Sequence, residues 1–118
     1  MLNEQRGWKA KFRDAFRGIG QACRGEKSFV VHFSAAILVV TAAALLKVTT
    51  TEWCLLILCI AIVFSAETFN SSIESLARAV TEEQNAHVGR SLDTAAGAVL
   101  IAAMGAAVVG VVVFLPYV

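Results

Sequence analysis

A long apolar stretch covers residues 53–76 and reads WCLLILCIAIVFSAETFNSSIESL. It exceeds the ~20 residues with which an α-helix crosses the hydrocarbon layer of a membrane. Its second half also contains two carboxylates and an amide, at Glu67, Asn70 and Glu74. Their spacings of three, four and seven residues place all three on one face of a helix. Because polar groups at membrane depth are costly, they usually serve chemistry or transport rather than stability.

Two further apolar segments, residues 29–46 and 94–117, have similar lengths. The chain is 58% hydrophobic, with a mean hydropathy of +0.71, and a soluble core of 118 residues does not need that much apolar surface. We therefore predict an all-α integral membrane protein, a single domain over residues 1–118 with transmembrane helices at 29–46, 53–76 and 94–117. The third segment is rich in Ala and Gly, which lets helices in lipid approach closely, so we expect it at the centre of a bundle.

Residues 4–24 have the pattern of an amphipathic helix, with apolar side chains at spacings of three and four and cations at other positions. The apolar side chains are Trp8, Phe12, Ala15, Phe16, Ile19, Ala22 and Cys23, and the cations are Lys9, Lys11, Arg13, Arg17 and Arg24. Such a helix suits a membrane interface, where aromatic rings enter the headgroup boundary and cations meet anionic lipid. The alternative is a helix that docks on the protein's own transmembrane bundle, and both arrangements can hold together.

The cations predict the orientation of the chain, since they are concentrated before the first apolar segment although the net charge is only +1. Basic flanks stay in the cytoplasm, so we expect a cytoplasmic N-terminus and, after three crossings, a C-terminus outside. The link 47–52 then lies outside and the polar link 78–93 lies in the cytoplasm. With Trp53 at the outer interface, Glu67 lies ~21 Å inward at 1.5 Å per residue. Glu74 is then close to the cytoplasmic surface.

Polar side chains therefore gather on the cytoplasmic side of the predicted bundle: Glu26, Lys27, Asn70, Glu74, Arg90 and Asp93. Carboxylates at such a place suit Mg²⁺, which takes one or two of them together with phosphate oxygens. Glu67 is deeper and is placed to meet a lipid hydroxyl and accept its proton. The alternative is that Glu67 and Glu74 only hydrogen-bond between helices. His32, within the first span, is expected to be packed and hydrogen-bonded.

No soluble nucleotide-binding motif is present. Gly18-Ile19-Gly20 precedes no strand-to-helix transition, and the sequence contains no P-loop pattern ending in Gly-Lys-Ser/Thr. No nucleic-acid partner is expected.

These motifs resemble the small prokaryotic lipid kinases, the family of diacylglycerol kinase and undecaprenol kinase. The resemblance covers nearly the whole chain, and the segments that carry it are Ala15-Phe16-Arg17-Gly18-Ile19, Gly25-Glu26-Lys27-Ser28-Phe29, Glu67-x-x-Asn70-Ser71-x-Ile73-Glu74 and Gly89-Arg90-x-x-Asp93-x-Ala95-Ala96-Gly97-Ala98-Val99. The segment that begins at Glu67 is highly specific. The segments that look more like the undecaprenol kinase branch are Lys47-Val48, Thr51-Glu52-Trp53 and Phe114-Leu115-Pro116.

The resemblance implies a homotrimer in the bacterial inner membrane, with active sites shared between subunits, that transfers the γ-phosphoryl of ATP–Mg²⁺ to a lipid hydroxyl. By position, Glu67 matches the general base, and Glu26 and Glu74 match the metal-binding carboxylates. Asn70 matches a polar residue that supports the site. The candidate cofactor-binding residues implied in this way are Asn70, Glu74, Glu83, Arg90 and Asp93, and Arg78 is added to them by the hypothesis given below. So sparse a set can suffice, because phosphoryl transfer depends mainly on positioning and charge neutralisation.

Two positions depart from the family pattern. Leu92 stands where the family usually has a lysine that contacts the nucleotide phosphates, and Arg78 stands where it usually has Asp. We hypothesise that Arg78 replaces the missing cation. The rival hypotheses are a member that has lost ATP chemistry and binds lipid, and a small oligomeric channel or transporter. For a kinase, undecaprenol is the favoured acceptor and diacylglycerol the alternative.

Overall fold

The computed structural model describes residues 7–24, 26–80 and 83–118 of the chain. These residues form four α-helices, α1 (Trp8–Cys23), α2 (Lys27–Leu46), α3 (Thr50–Val80) and α4 (Ala86–Phe114), and a closing 3₁₀ turn (Leu115–Tyr117). The described parts contain no strand. Three stretches are long and apolar enough to cross a membrane, namely α2, α3, and α4 with its closing turn. The prediction of an all-helical protein with three candidate spans is therefore confirmed.

The helices extend beyond the apolar segments. The link expected over residues 78–93 is mostly helical, because α3 continues to Val80 and α4 begins at Ala86. Asn85 explains the early start of α4, since its Oδ1 accepts hydrogen bonds from the backbone N–H groups of His87 (2.9 Å) and Val88 (3.2 Å). At the N-terminus, residues 4–6 of the predicted surface helix lie outside the described residues.

A pair of local motifs joins α2 to α3. Lys47 has a positive φ of 54° and ends α2, and the N–H of Val48 returns to the carbonyl of Ala43 at 3.2 Å. Thr49 and Glu52 then form a capping box, in which the Glu52 N–H donates to Thr49 Oγ1 (3.2 Å) and the Thr49 N–H donates to Glu52 Oε1 (2.9 Å). The chain therefore reverses sharply between the two helices.

The C-terminal turn lies at the same end of the bundle as this link. The Tyr117 hydroxyl donates to Glu52 Oε1 at 2.5 Å, and the buried core cluster Ala43, Val48, Leu56 and Val113 lies at this end. Elsewhere α3 packs chiefly along α4 and more sparsely on α2 and α1. Because α3 runs from this end of the bundle to the candidate site described below, it sets the distance between the link 47–52 and that site.

Candidate active site

Glu67 is almost fully buried in α3, with 3% of its surface exposed, and both of its carboxylate oxygens face donors from α2. Oε1 lies 2.9 Å from His32 Nε2, and Oε2 accepts a hydrogen bond from Ser28 Oγ at 3.3 Å. Ser28 and His32 are four residues apart, so they lie on one face of α2. A carboxylate has about four lone-pair positions, so this arrangement leaves capacity for a further donor.

Aromatic packing places this face of α2 against Glu67. Phe29 is 2% exposed, and its ring lies 6.0 Å from that of Phe64. Phe33 meets the same ring edge-on at 5.0 Å. Phe64 precedes Glu67 by three residues, so the aromatic contacts and the carboxylate lie on neighbouring turns of α3. The rotation of α2 about its own axis, and with it the position of His32, is set by these rings.

A second polar group lies one to two turns further along α3. Asn70 Nδ2 donates to Glu74 Oε1 at 2.8 Å, and Glu74 is also hydrogen-bonded to Glu26, the residue that precedes α2. Burial, first, and then the adjacent Glu74 carboxyl raise the pKa of Glu26 above its usual range, while Arg78 acts in the opposite direction. Two carboxyl groups that share a hydrogen bond form a site where a divalent cation can replace a proton.

The group formed by Glu26, Asn70 and Glu74 suits Mg²⁺ better than it suits a metal ion whose ligands all come from protein side chains. The parts of the chain described by the structure contain no cluster of three or more His, Cys, Asp or Glu side chains that could hold a metal ion. Mg²⁺, however, usually takes only one or two carboxylates and completes its shell with water and substrate phosphates. The Oδ1 of Asn70 adds an oxygen that is buried without a hydrogen-bond partner. Glu26, Glu74 and Asn70 are thus the residues that fit the ion.

Arg78 borders two cavities at this end of the molecule. The larger, of about 880 Å³, lies between the end of α3 and the start of α4 and also contacts Glu74, Glu83 and Leu92. The other, of about 660 Å³, lies against α1 and includes Glu26. A guanidinium that borders both cavities is suited to an anionic ligand, since it donates several hydrogen bonds in a fixed plane.

Comparison with known proteins identifies the family. The model of the prokaryotic diacylglycerol kinase family matches residues 13–114. The chain belongs to this family. It is 32% identical to undecaprenol kinase of Bacillus subtilis over 97% of its own length and 93% of that relative. It is 35% identical to diacylglycerol kinase of Synechocystis sp. over 89% of its own length, and it spans 61% of that longer protein. The resemblance inferred from the motifs is confirmed, and the chain is a member of a family of prokaryotic lipid kinases.

The structure brings together some of the candidate site residues named from the sequence. Glu26, Asn70 and Glu74 form one hydrogen-bonded group, and Arg78 and Glu83 share a cavity with Glu74. Two other candidates, Arg90 and Asp93, are exposed on α4 and are not among the described residues that line that cavity.

The contact between His32 and Glu67 is not among the contacts predicted from the sequence. His32 was expected to be packed and hydrogen-bonded, but its partner was not identified. The sequence does contain a signal for this contact, because Ser28 and His32 are four residues apart and follow closely after Glu26. Both lie near the start of a span that is otherwise mostly apolar.

Proposed function

We propose that this protein transfers the γ-phosphoryl group of ATP to a lipid hydroxyl, with undecaprenol as the favoured acceptor and diacylglycerol as the alternative. The observation that carries the proposal is the order of polar groups along α3. A buried carboxylate, Glu67, lies beside an amide and carboxylate pair, Asn70 and Glu74, that meets Glu26. The first group suits a base at membrane depth, and the second suits a metal-bound nucleotide nearer the surface.

Glu67 acts as general base in this proposal. The lipid hydroxyl oxygen attacks the γ-phosphorus, the bond to the bridging oxygen of ADP breaks, and the hydroxyl proton passes to Glu67. Donors on α2 hold both carboxylate oxygens, which fixes the direction in which the remaining lone pairs point. Glu26, Glu74 and Asn70 would hold Mg²⁺, which neutralises phosphate charge when it is bound.

Arg78 is proposed to contact the nucleotide phosphates. Support comes from the cavity that Arg78 and Leu92 line together, because the family lysine expected at position 92 would project into the same space. An arginine provides the missing positive charge from the opposite wall, and its planar fork matches phosphate oxygens. Glu83, Arg90 and Asp93 remain candidate cofactor-binding residues on the family pattern.

The proposed setting is the bacterial inner membrane, with α1 on its cytoplasmic surface and three copies forming a trimer with shared active sites. In α1 the rings of Trp8, Phe12 and Phe16 are all exposed, and Lys11 Nζ lies 5.0 Å from the centre of the Trp8 ring. This combination suits a headgroup layer, where apolar rings and cations are both accommodated. The extensive exposed apolar surface of α2 and α4 supports burial against lipid and neighbouring subunits.

One assay tests the proposal. Purified protein in mixed micelles is incubated with ATP labelled at the γ-phosphate, Mg²⁺, and either undecaprenol or diacylglycerol. We expect label in undecaprenol, and loss of about 100-fold or more of this activity in Glu67→Gln. Label only in diacylglycerol would make that lipid the acceptor, and absence of label from both lipids would reject the kinase proposal.

A further inference from the structure

His32 makes the shortest contact to the buried Glu67 carboxylate. Its Nε2 lies 2.9 Å from Oε1, and the imidazole is 19% exposed. Ser28 Oγ, the other donor, is 3.3 Å from Oε2. The histidine ring also borders an apolar cavity of about 490 Å³ between α2, α3 and α4. The ring is therefore enclosed by apolar side chains on one side and bonded to Glu67 on the other.

We propose that His32 is a positioning residue for phosphoryl transfer: its Nε2–H holds the Glu67 carboxylate in the orientation in which it accepts the lipid hydroxyl proton. This inference rests on the proposed function. A glutamate side chain has three rotatable bonds, and a base acts only when its lone pair lies within hydrogen-bond reach of the proton. The imidazole is rigid and is itself restrained by the rings that fix α2, so it limits the rotation of the carboxylate.

The contact is compatible with each step of the proposed reaction. The neutral imidazole donates from Nε2 when that nitrogen carries the proton, and the protonated imidazole donates there as well. One oxygen of Glu67 is thus occupied by His32, and the remaining lone pairs are available to the substrate. The lone pairs of Glu67 that receive no hydrogen bond from α2 therefore set the direction of proton transfer.

The competing explanation is that His32 only compensates the burial of a carboxylate. A buried acceptor that loses its donor is destabilising in any protein, so a fall in stability does not distinguish the two explanations. The distinction lies in the kinetic parameters. A positioning role affects the chemical step more than nucleotide binding, whereas a structural role affects both.

The test uses His32→Leu, which removes the donor but keeps an apolar side chain, and His32→Gln, whose amide nitrogen can donate near the position of Nε2. We expect His32→Leu to lower kcat about 10- to 100-fold, since small misplacements of reacting groups have costs of that order, with KM for ATP changed by about twofold or less. His32→Gln should recover kcat to within about fivefold of the wild-type value. His87→Gln, an exposed histidine at the start of α4, is the matched control and should be unchanged.

Combination with Glu67→Gln separates this inference from the proposed function. If His32 acts through Glu67, His32→Leu lowers kcat no further in the Glu67→Gln background, because residues that act as a unit are not additive. Three results would overturn this inference and leave the proposed role of Glu67 intact. They are equal losses of kcat in His32→Gln and His32→Leu, a full additional loss of kcat when His32→Leu is added to Glu67→Gln, or an unchanged kcat in His32→Leu. Full activity of Glu67→Gln, or no transfer by the wild-type protein to either lipid, would overturn the proposed role of Glu67 and this inference with it.

Discussion

Arg78 and Leu92 line the same cavity, between the end of α3 and the start of α4. They are also the two positions that the family resemblance in the sequence marks as departures from the family pattern. Burial and the adjacent Glu74 carboxyl raise the pKa of Glu26, and the charge of Arg78 opposes that rise, so Arg78 acts where Glu26 and Glu74 meet. The shared cavity supports a compensating exchange, since a cation on either wall faces the same space.

The first prediction concerns this exchange. Arg78→Ala should lower kinase activity about 100-fold or more, because removal of one donor to transition-state charge typically costs 10²–10³ in rate. The double variant Arg78→Ala with Leu92→Lys should be at least about tenfold more active than Arg78→Ala alone, since the lysine supplies a cation from the opposite wall. Steady-state transfer of labelled phosphate to lipid is the measurement.

Lys47→Asn is the matched control for Arg78→Ala. It removes a cation at the other end of the bundle, and asparagine tolerates the positive φ of 54° found there. Its activity should equal that of the wild-type protein. Arg78→Ala with undiminished activity would contradict the exchange, and so would a Leu92→Lys variant that rescues nothing.

The second prediction concerns the pair of carboxyl groups. Glu26→Gln and Glu74→Gln should each raise the Mg²⁺ concentration required for half-maximal activity by about tenfold or more, because loss even of residues that support metal ligands costs 10- to 100-fold in affinity. Excess chelator should abolish transfer in the wild-type protein. The measurement is a Mg²⁺ titration at saturating lipid and fixed ATP.

Glu52→Gln is the control for this titration, as it neutralises a carboxylate that bonds Tyr117 and Thr49 at the opposite end of α3. It should leave the Mg²⁺ dependence unchanged. An unaltered titration in both Glu26→Gln and Glu74→Gln would mean that the pair holds no metal.

Spacing alone predicted part of this arrangement. Asn70 and Glu74 were expected on one helical face, and their side chains are hydrogen-bonded at 2.8 Å, because contacts four residues apart follow from helix geometry. The partner of Glu67 was not predictable in this way. It depends on the rotation of α2, which the packing of Phe29 and Phe33 on Phe64 determines, and one sequence does not specify how two helices turn toward each other.

The start of α4 lies earlier in the chain than hydropathy predicts. Hydropathy placed the third span at residue 94, but a helix can continue outside the apolar segment wherever its end is capped. Asn85 provides that cap at the backbone of His87 and Val88. Because α4 begins before the apolar segment, Arg90 lies on its exposed surface, whereas composition predicts a loop at this position.

The third prediction concerns the hydrogen bond between Tyr117 and Glu52. Tyr117→Phe removes the donor and keeps the ring, so the closing turn loses its polar tie to the start of α3. Because both groups are at the surface, the thermal midpoint in detergent should fall by about 4 °C or less, with kinase activity retained. A large loss of activity at constant stability would contradict a purely structural role for this contact.

The fourth prediction concerns orientation. The contact between Tyr117 and Glu52 places the C-terminus at the end of the link 47–52, and the cations that precede α2 favour the cytoplasm for the opposite end. In a background without the native cysteines, Val118→Cys should react with a membrane-impermeant maleimide in intact cells. Gln84→Cys, on the exposed link between α3 and α4, should react only after the membrane is permeabilised. The reverse labelling pattern would place Glu26, Glu74 and Arg78 away from cytoplasmic ATP and would contradict the proposed kinase. Labelling of both cysteines in intact cells would contradict a membrane crossing between residues 84 and 118, the crossing assigned to α4.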